Sequence, residues 1–379
     1  MILKQDGSVW STPITFRGLR TPSGVGKHFA QVISGDSMAM AAGTGCSIVL
    51  KQDGYVWVMG RNYHGQLGDG TKTRKISFFF VKMIPGANAA AAGNGHSMVL
   101  TREGDLWGAG WNKYGQLGDQ TLSYTTTFRE TISGGVKTVA AGDTHSIVMK
   151  EDYSVWAAGR NYNGQLGDGS NTDRSCFVEV MSSGAADVVA GGHHSLVLKH
   201  DSSVWATGWN EYGQLGDGST TDKANYVQVV SSGAKAVDGG SRHSMVLKQD
   251  GSVWVTGYNL YGQLGDGSTL NRQIFVKVIS GGARAIATGA FHSMVIKQDG
   301  SILATGSNRH GQFGVGSNTP EKTFVRLEPF GHGSDTTRSW TTQLCQRAVL
   351  LFAHSILTMH MLASMRLLFY RLTTTMHSQ

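Results

Sequence analysis

The chain has 379 residues, with 52 glycines, five prolines, three cysteines and a formal net charge of +7. Abundant glycine without a Gly-X-Y period excludes collagen, and the three scattered cysteines, Cys46, Cys176 and Cys345, exclude a disulfide framework or a Cys-x-x-Cys metal site. Lys and Arg are spread along the chain rather than gathered on one element. That excludes a dedicated nucleic-acid stripe and leaves a mildly basic solvated surface.

The N-terminal segment Met1-Ile2-Leu3-Lys4-Gln5-Asp6 lacks the apolar run of a signal peptide, and no Asn-x-Ser/Thr acceptor occurs. Together with the cysteine usage this leads us to expect an intracellular, reducing compartment, cytoplasm or nucleus.

Three phrases recur in constant phase. Asn-x-x-Gly-Gln-Leu-Gly marks positions Asn62, Asn112, Asn161, Asn210, Asn259 and Asn308, at steps of 50 and then 49 residues. Gly-x-x-His-Ser supplies His96, His145, His194, His243 and His292, with Cys46 in the slot of the earlier copy. The third centres on tryptophan, at Trp10, Trp57, Trp107, Trp156, Trp205 and Trp254, with Leu303 in the seventh place. A period of this length is the mark of a repeat architecture, which overrides any domain count taken from length.

Each unit reads as four short strands. In residues 240–288, Ser244 to Lys248 runs into an Asp250-Gly251 turn, and Ser252 to Thr256 returns. Asp-Gly between two such runs is a strong hairpin signal. A glycine-rich loop from Asn259 to Gly267 follows, then Phe275 to Ile279 and Ala283 to Ala287, both alternating. Four antiparallel strands per unit make one propeller blade. The fold class is therefore all-β, a seven-bladed β-propeller with irregular first and last blades. The tryptophans are expected to pack between adjacent sheets.

Met1 aligns with Met245, so the first unit begins inside a strand. Its loop, Thr12 to His28, has lost the Asn phrase, and register returns at Phe29-Ala30-Gln31-Val32-Ile33. The last unit runs through Phe324-Val325-Arg326-Leu327 and then leaves the pattern, so a closed ring must find its missing strands elsewhere. We divide the chain into a propeller over 1–330 and a non-repeat tail over 331–379. The tail has no Lys or Glu, and it holds four arginines against Asp335. Ala348 to Ala363 suits a helix but is short for a membrane span and contains His354 and His360, so an appended amphipathic helix or a disordered tail is expected instead. Deleting the tail is expected to leave the ring folded.

Gly-x-Asn-x-x-Gly-Gln-Leu-Gly with Gly-x-x-His-Ser and Asp-Gly-x-Val-Trp resembles the repeat of the regulator of chromosome condensation family, over about residues 1–330. The resemblance implies a seven-bladed propeller, like that of the β-lactamase inhibitors of the same superfamily. Members include a guanine-nucleotide exchange factor for the Ran GTPase, segments of large ubiquitin ligases, a plant ultraviolet receptor and secreted enzyme inhibitors. The exchange factor carries a wedge between strands of one blade, and the near-constant spacing from Asn62 to Asn308 shows no such insertion. The receptor's tryptophans are missing: the matching slots are Gly95, Thr144, His193, Arg242 and Phe291.

Enzyme chemistry finds little support. Equivalent histidines on neighbouring blades stand ~10 Å apart, whereas zinc ligands sit at ~2 Å. Each imidazole or hydroxyl is expected to satisfy groups inside its own blade. The Gly-Asp-Gly aspartates Asp69, Asp168, Asp217 and Asp266 are turn formers that lack a calcium ligand set. No acid tracks with His-Ser to make a triad. We expect no catalytic residues, no cofactor and no metal.

The functional candidates are the side chains flanking the Asn anchor: Arg61 and Tyr63, Trp111 and Tyr114, Arg160 and Tyr162, Trp209 and Tyr212, Tyr258 and Tyr261, and Arg309. Tyr, Trp and Arg dominate interface hot spots. The expected function is a protein-binding scaffold or adaptor, monomeric, with no specific nucleic acid and no membrane attachment. Its alternatives are a nucleotide exchange factor or regulator acting on a Ran-like small GTPase, and an enzyme-inhibitor propeller.

Overall fold

A computed structural model describes residues 1–4, 6–11, 30–315, 317–327 and 342–344. The Thr12–His28 loop and the helix proposed over 348–363 lie outside the described residues. Seven four-stranded antiparallel sheets form a ring of blades, and no helix occurs among the described residues. One regular blade contains Val136–Ala141, His145–Lys150, Val155–Gly159 and Arg174–Met181, paired in that order.

The blade is out of phase with the sequence repeat. Ala283–Thr288, read as the last strand of the 240–288 unit, pairs instead with His292–Lys297 as the first strand of the next blade. The blade containing His243–Lys248 takes its innermost strand from Ala234–Gly239. The unit therefore straddles two sheets. The connection from one sheet's outer strand to the next sheet's inner strand falls inside the unit, between Ile279 and Ala283, where sequence periodicity gives no sign of it.

This offset explains both irregular ends. The last full blade, from Ala283 to Leu327, is complete. The unfinished end of the last repeat and the late start of the first meet in one blade, which contains Ile2–Lys4, Val9–Ser11 and Ala30–Ile33. Thr342–Leu344 pairs antiparallel with Ile2–Lys4 and supplies that blade's fourth strand. A segment from within the 331–379 tail thus takes part in the sheet.

Six of the innermost strands are rich in alanine, as in Ala87-Asn88-Ala89-Ala90-Ala91-Ala92, which suits their convergence on the axis where many large side chains would collide. The core lies between sheets. Ile147, Val155, Leu166, Val188 and Val197, from two adjacent blades, form one buried cluster. Trp205 packs against that cluster, Trp156 against the preceding one and Trp254 against the following one, as expected for tryptophans between sheets. Their indole N–H groups are not wasted. Nε1 of Trp156, Trp205 and Trp254 donates to the hydroxyl of Ser154, Ser203 and Ser252, each of which donates in turn to the Asp of the turn.

Candidate protein-binding face

In every regular blade two connections emerge at the same end of the ring: the short link between the first and second strands, and the long loop between the third and fourth. In one blade these are residues 142–144 and 160–173. The long loop is built around its Asn. Asn112 Oδ1 accepts from Leu117 N–H at 2.9 Å, and Nδ2 donates to Asp119 Oδ1 at 2.8 Å. Asn62, Asn161, Asn210 and Asn259 repeat both bonds. The last copy differs, with Phe313 in the leucine slot and Val315 in the aspartate slot, and Asn308 Nδ2 turns to the Ser317 carbonyl.

The Gly-Asp-Gly aspartates are used within the loop. Asp168 and Asp266 meet Arg174 and Arg272 at 2.7 Å, and Asp69 and Asp217 meet Lys75 and Lys223 at 3.3 Å. Among the described residues no group of three or more His, Cys, Asp or Glu side chains is placed to hold a metal.

Each loop also leans on the following blade. Asp119 bridges to Cys176, and Asp168 to Asn225, through the backbone. Gly115, at φ +80°, lies so close that a Cβ would stand 2.3 Å from Ser175 Cα. Glycine is required there by contact as well as by backbone angle.

The His-Ser pairs join blades rather than satisfying groups within one, which corrects the sequence expectation. His96 Nε2 meets Ser146 Oγ of the next blade at 2.9 Å, and that hydroxyl donates to the Gln116 carbonyl at 2.7 Å. Because Oγ spends its proton on the carbonyl, His96 must donate from Nε2. His145, His194 and His243 make the same link to Ser195, Ser244 and Ser293. Burial lowers His96 to about 4 and His194 and His243 to about 3, so all remain neutral. Cys46, in the equivalent slot, lies 3.9 Å from Ser97 Oγ, and burial raises its thiol to about 11.

With the scaffold fixed in this way, the candidate side chains fall on one end of the ring. They form two arcs. In the first, Trp111 stacks on His64 at 5.1 Å and meets Tyr114 edge-on at 5.4 Å, and the Arg160 guanidinium lies over Tyr114 and Tyr162 at 5.1 and 5.7 Å. In the second, Trp209, Tyr212, Tyr258 and Tyr261 touch in sequence at 5.3, 4.8 and 6.2 Å, and Arg309 covers Tyr261 at 5.0 Å. Arg61 and Tyr63 join neither arc. Arg61 is exposed and lies against Gly45, and Tyr63 is 64% exposed.

The face contains residues that the Asn-flanking rule missed. Arg242 sits among Trp209, Tyr212 and Tyr258 at 5.2, 5.4 and 5.6 Å. Phe291 closes the second arc on Tyr261 at 5.3 Å, and His193 opens it on Trp209 at 5.8 Å. His193 Nε2 is 3.9 Å from the Asp143 carboxylate. Burial raises the Asp143 carboxyl against the pull of His193 and Arg242, and burial lowers His193 against the pull of Asp143, so both shift toward their neutral forms. Asp143, His193, Arg242 and Phe291 all belong to the variable positions of Gly-x-x-His-Ser. Variation inside an otherwise fixed phrase was the available signal.

A family profile described as the RCC1-like domain matches residues 2–280, and one described as the regulator of chromosome condensation (RCC1) repeat matches residues 283–312. No curated protein sequence matches the chain. Among solved structures, human WBSCR16 is similar at 22% identity and a TM-score of 0.73, covering 84% of this chain and 88% of that one. Kap60-bound yeast RCC1 (Prp20) is similar at 19% and 0.70, covering 77% and 75%. Prp20p from Saccharomyces cerevisiae, described with its binding properties to Gsp1p and histones, is similar at 19% and 0.68, covering 77% of each chain. Identities this low speak for a shared fold. No helix among the described residues is long and apolar enough to cross a membrane.

Proposed function

The chain belongs to the family of RCC1-like domains, and from that premise we propose that it works by binding a protein on its long-loop face rather than by catalysis. The observation that carries this reading is the continuous run from His193 through Trp209, Tyr212 and Tyr258 to Tyr261 and Phe291, ring against ring across several blades. Rigid aromatic side chains offer large contact area at small entropic cost, and loops on a rigid scaffold are where binding sites concentrate. The repeated polar residues beneath are engaged in holding the blades, which leaves the rim side chains as the variable element.

The test is capture of partners from an extract by the intact chain and by a Trp111→Ala/Trp209→Ala double variant. Truncating anchors at a buried interface centre costs about 2 kcal/mol or more each, so specific partners should be lost. Unchanged capture removes the rim reading. A fluorescent-GDP release assay with a Ran-type GTPase provides the second arm: stimulated release by the intact chain replaces binding alone with nucleotide exchange.

A further inference from the structure

We infer that Arg242 is a carboxylate receptor on this face, flanked by Arg160 and Arg309, and that the partner presents an acidic protein loop to it. This rests on the rim reading above and adds the chemistry of the partner.

Two arrangements recur among the described arginines near this face. Arg174 and Arg272 are fork-paired to aspartates of their own loops. Arg160, Arg242 and Arg309 instead lie over aromatic rings, and none makes a side-chain hydrogen bond or ion pair among the described residues. A guanidinium held over ring faces is pre-oriented, with planar donors matched to a carboxylate. Arg242 is the most firmly placed of the three, with rings from three loop positions around it.

The face does not supply its own counter-charge at this point. The acid facing Arg242 is Asp143, whose ionised form is disfavoured by burial and which is shared with His193. An incoming carboxylate would be the charge the site lacks. The long loops of the same face carry the exposed acids Asp173, Glu211 and Asp222. A nucleic-acid strand crossing the ring would run its phosphates past these groups. A discrete acidic loop can reach Arg242, which stands on the short link between the first and second strands of its blade, without doing so, which favours protein over nucleic acid.

The experiment measures fluorescence anisotropy at low salt with the full chain and three labelled probes: a short Glu/Gly peptide, its Gln/Gly counterpart, and a single-stranded oligonucleotide of the same charge. The Glu/Gly peptide should bind and the Gln/Gly peptide should not. Arg242→Gln should weaken the acidic peptide about tenfold, the loss expected for a charge-assisted hydrogen-bonded pair. Arg102→Gln, which removes an exposed cation from the turn between second and third strands at the opposite end of a blade, should change it less than about twofold. Equal affinity in Arg242→Gln, or an oligonucleotide bound more tightly than the acidic peptide, overturns the inference. If Arg242→Gln melts below the parent, Arg242→Lys decides: retained affinity means that diffuse charge suffices and overturns the receptor role, whereas loss supports it. Partner capture abolished by the double tryptophan variant, alongside peptide binding indifferent to Arg242, sinks this inference and leaves the rim reading standing.

Discussion

His96 and Ser146 belong to different blades, and their 2.9 Å contact joins those blades through a serine hydroxyl that also donates to the Gln116 carbonyl. Removing that hydroxyl strands two buried groups at once. Ser146→Ala should therefore destabilise the ring by about 1–3 kcal/mol, read from urea unfolding. Ser97→Ala should cost less, because its neighbour across the blade boundary is the weak donor Cys46 at 3.9 Å. Equal losses at the two sites would refute the assignment of stability to the His-Ser bond.

The same histidines set a pH dependence. In the unfolded chain they titrate near ~6.5, whereas burial holds His96 and His292 at about 4 and His194 and His243 at about 3. Between these values the unfolded chain binds more protons than the folded one, so stability falls as pH drops. It is fully present above about 6.5 and lost progressively toward 4 and below. Asp238 works in the opposite sense. Burial raises it to about 6, so its contribution is full at low pH and fades as pH rises through 6. With His145 also lowered by burial and Asp143 also raised, five histidines against two aspartates leave a net loss on acidification. The urea midpoint should be lower at pH 5 than at pH 7.5, and a higher midpoint at pH 5 would contradict the burial of the histidines.

Two glycines with positive φ separate contact from backbone strain. A Cβ at Gly115 would stand 2.3 Å from Ser175 Cα on the next blade, whereas one at Gly134, φ +67°, would meet nothing within 4 Å. Gly134→Ala should cost about 1 kcal/mol, from the left-handed backbone alone. Gly115→Ala should cost at least ~2 kcal/mol more, because backbone must move to admit it. Thermal melts of the two variants provide the comparison.

Thr342–Leu344 gives the expectation for truncation a different form. These residues pair with Ile2–Lys4 and complete a blade. A chain ending at residue 330 leaves that edge open and should melt lower and less cooperatively than one ending at 345. If the two melt alike, the closing strand contributes nothing to stability, as the sequence alone had led us to expect for the tail.

The blade count, the strands, the hairpins and the interblade tryptophans were legible in the sequence, because each depends on local pattern: alternation, Asp-Gly turns and a 49-residue period that repeats strand by strand. The placement of the Asn-flanking side chains on one face was legible for the same reason, since a fixed anchor fixes its neighbours' direction, but not which of them meet: Arg61 and Tyr63 join neither arc. What tertiary structure decided is where one sheet ends and the next begins. Ala283–Thr288 alternates identically whether it closes one blade or opens another, and only its pairing with His292–Lys297 settles the matter. The same holds for His96, whose serine partner is 50 residues away. It holds again for Arg242, which lies 16 residues or more from each of the three rings around it. Contacts of that range follow from the closure of the ring, which brings equivalent positions of neighbouring blades to one rim, and no window of local sequence contains them.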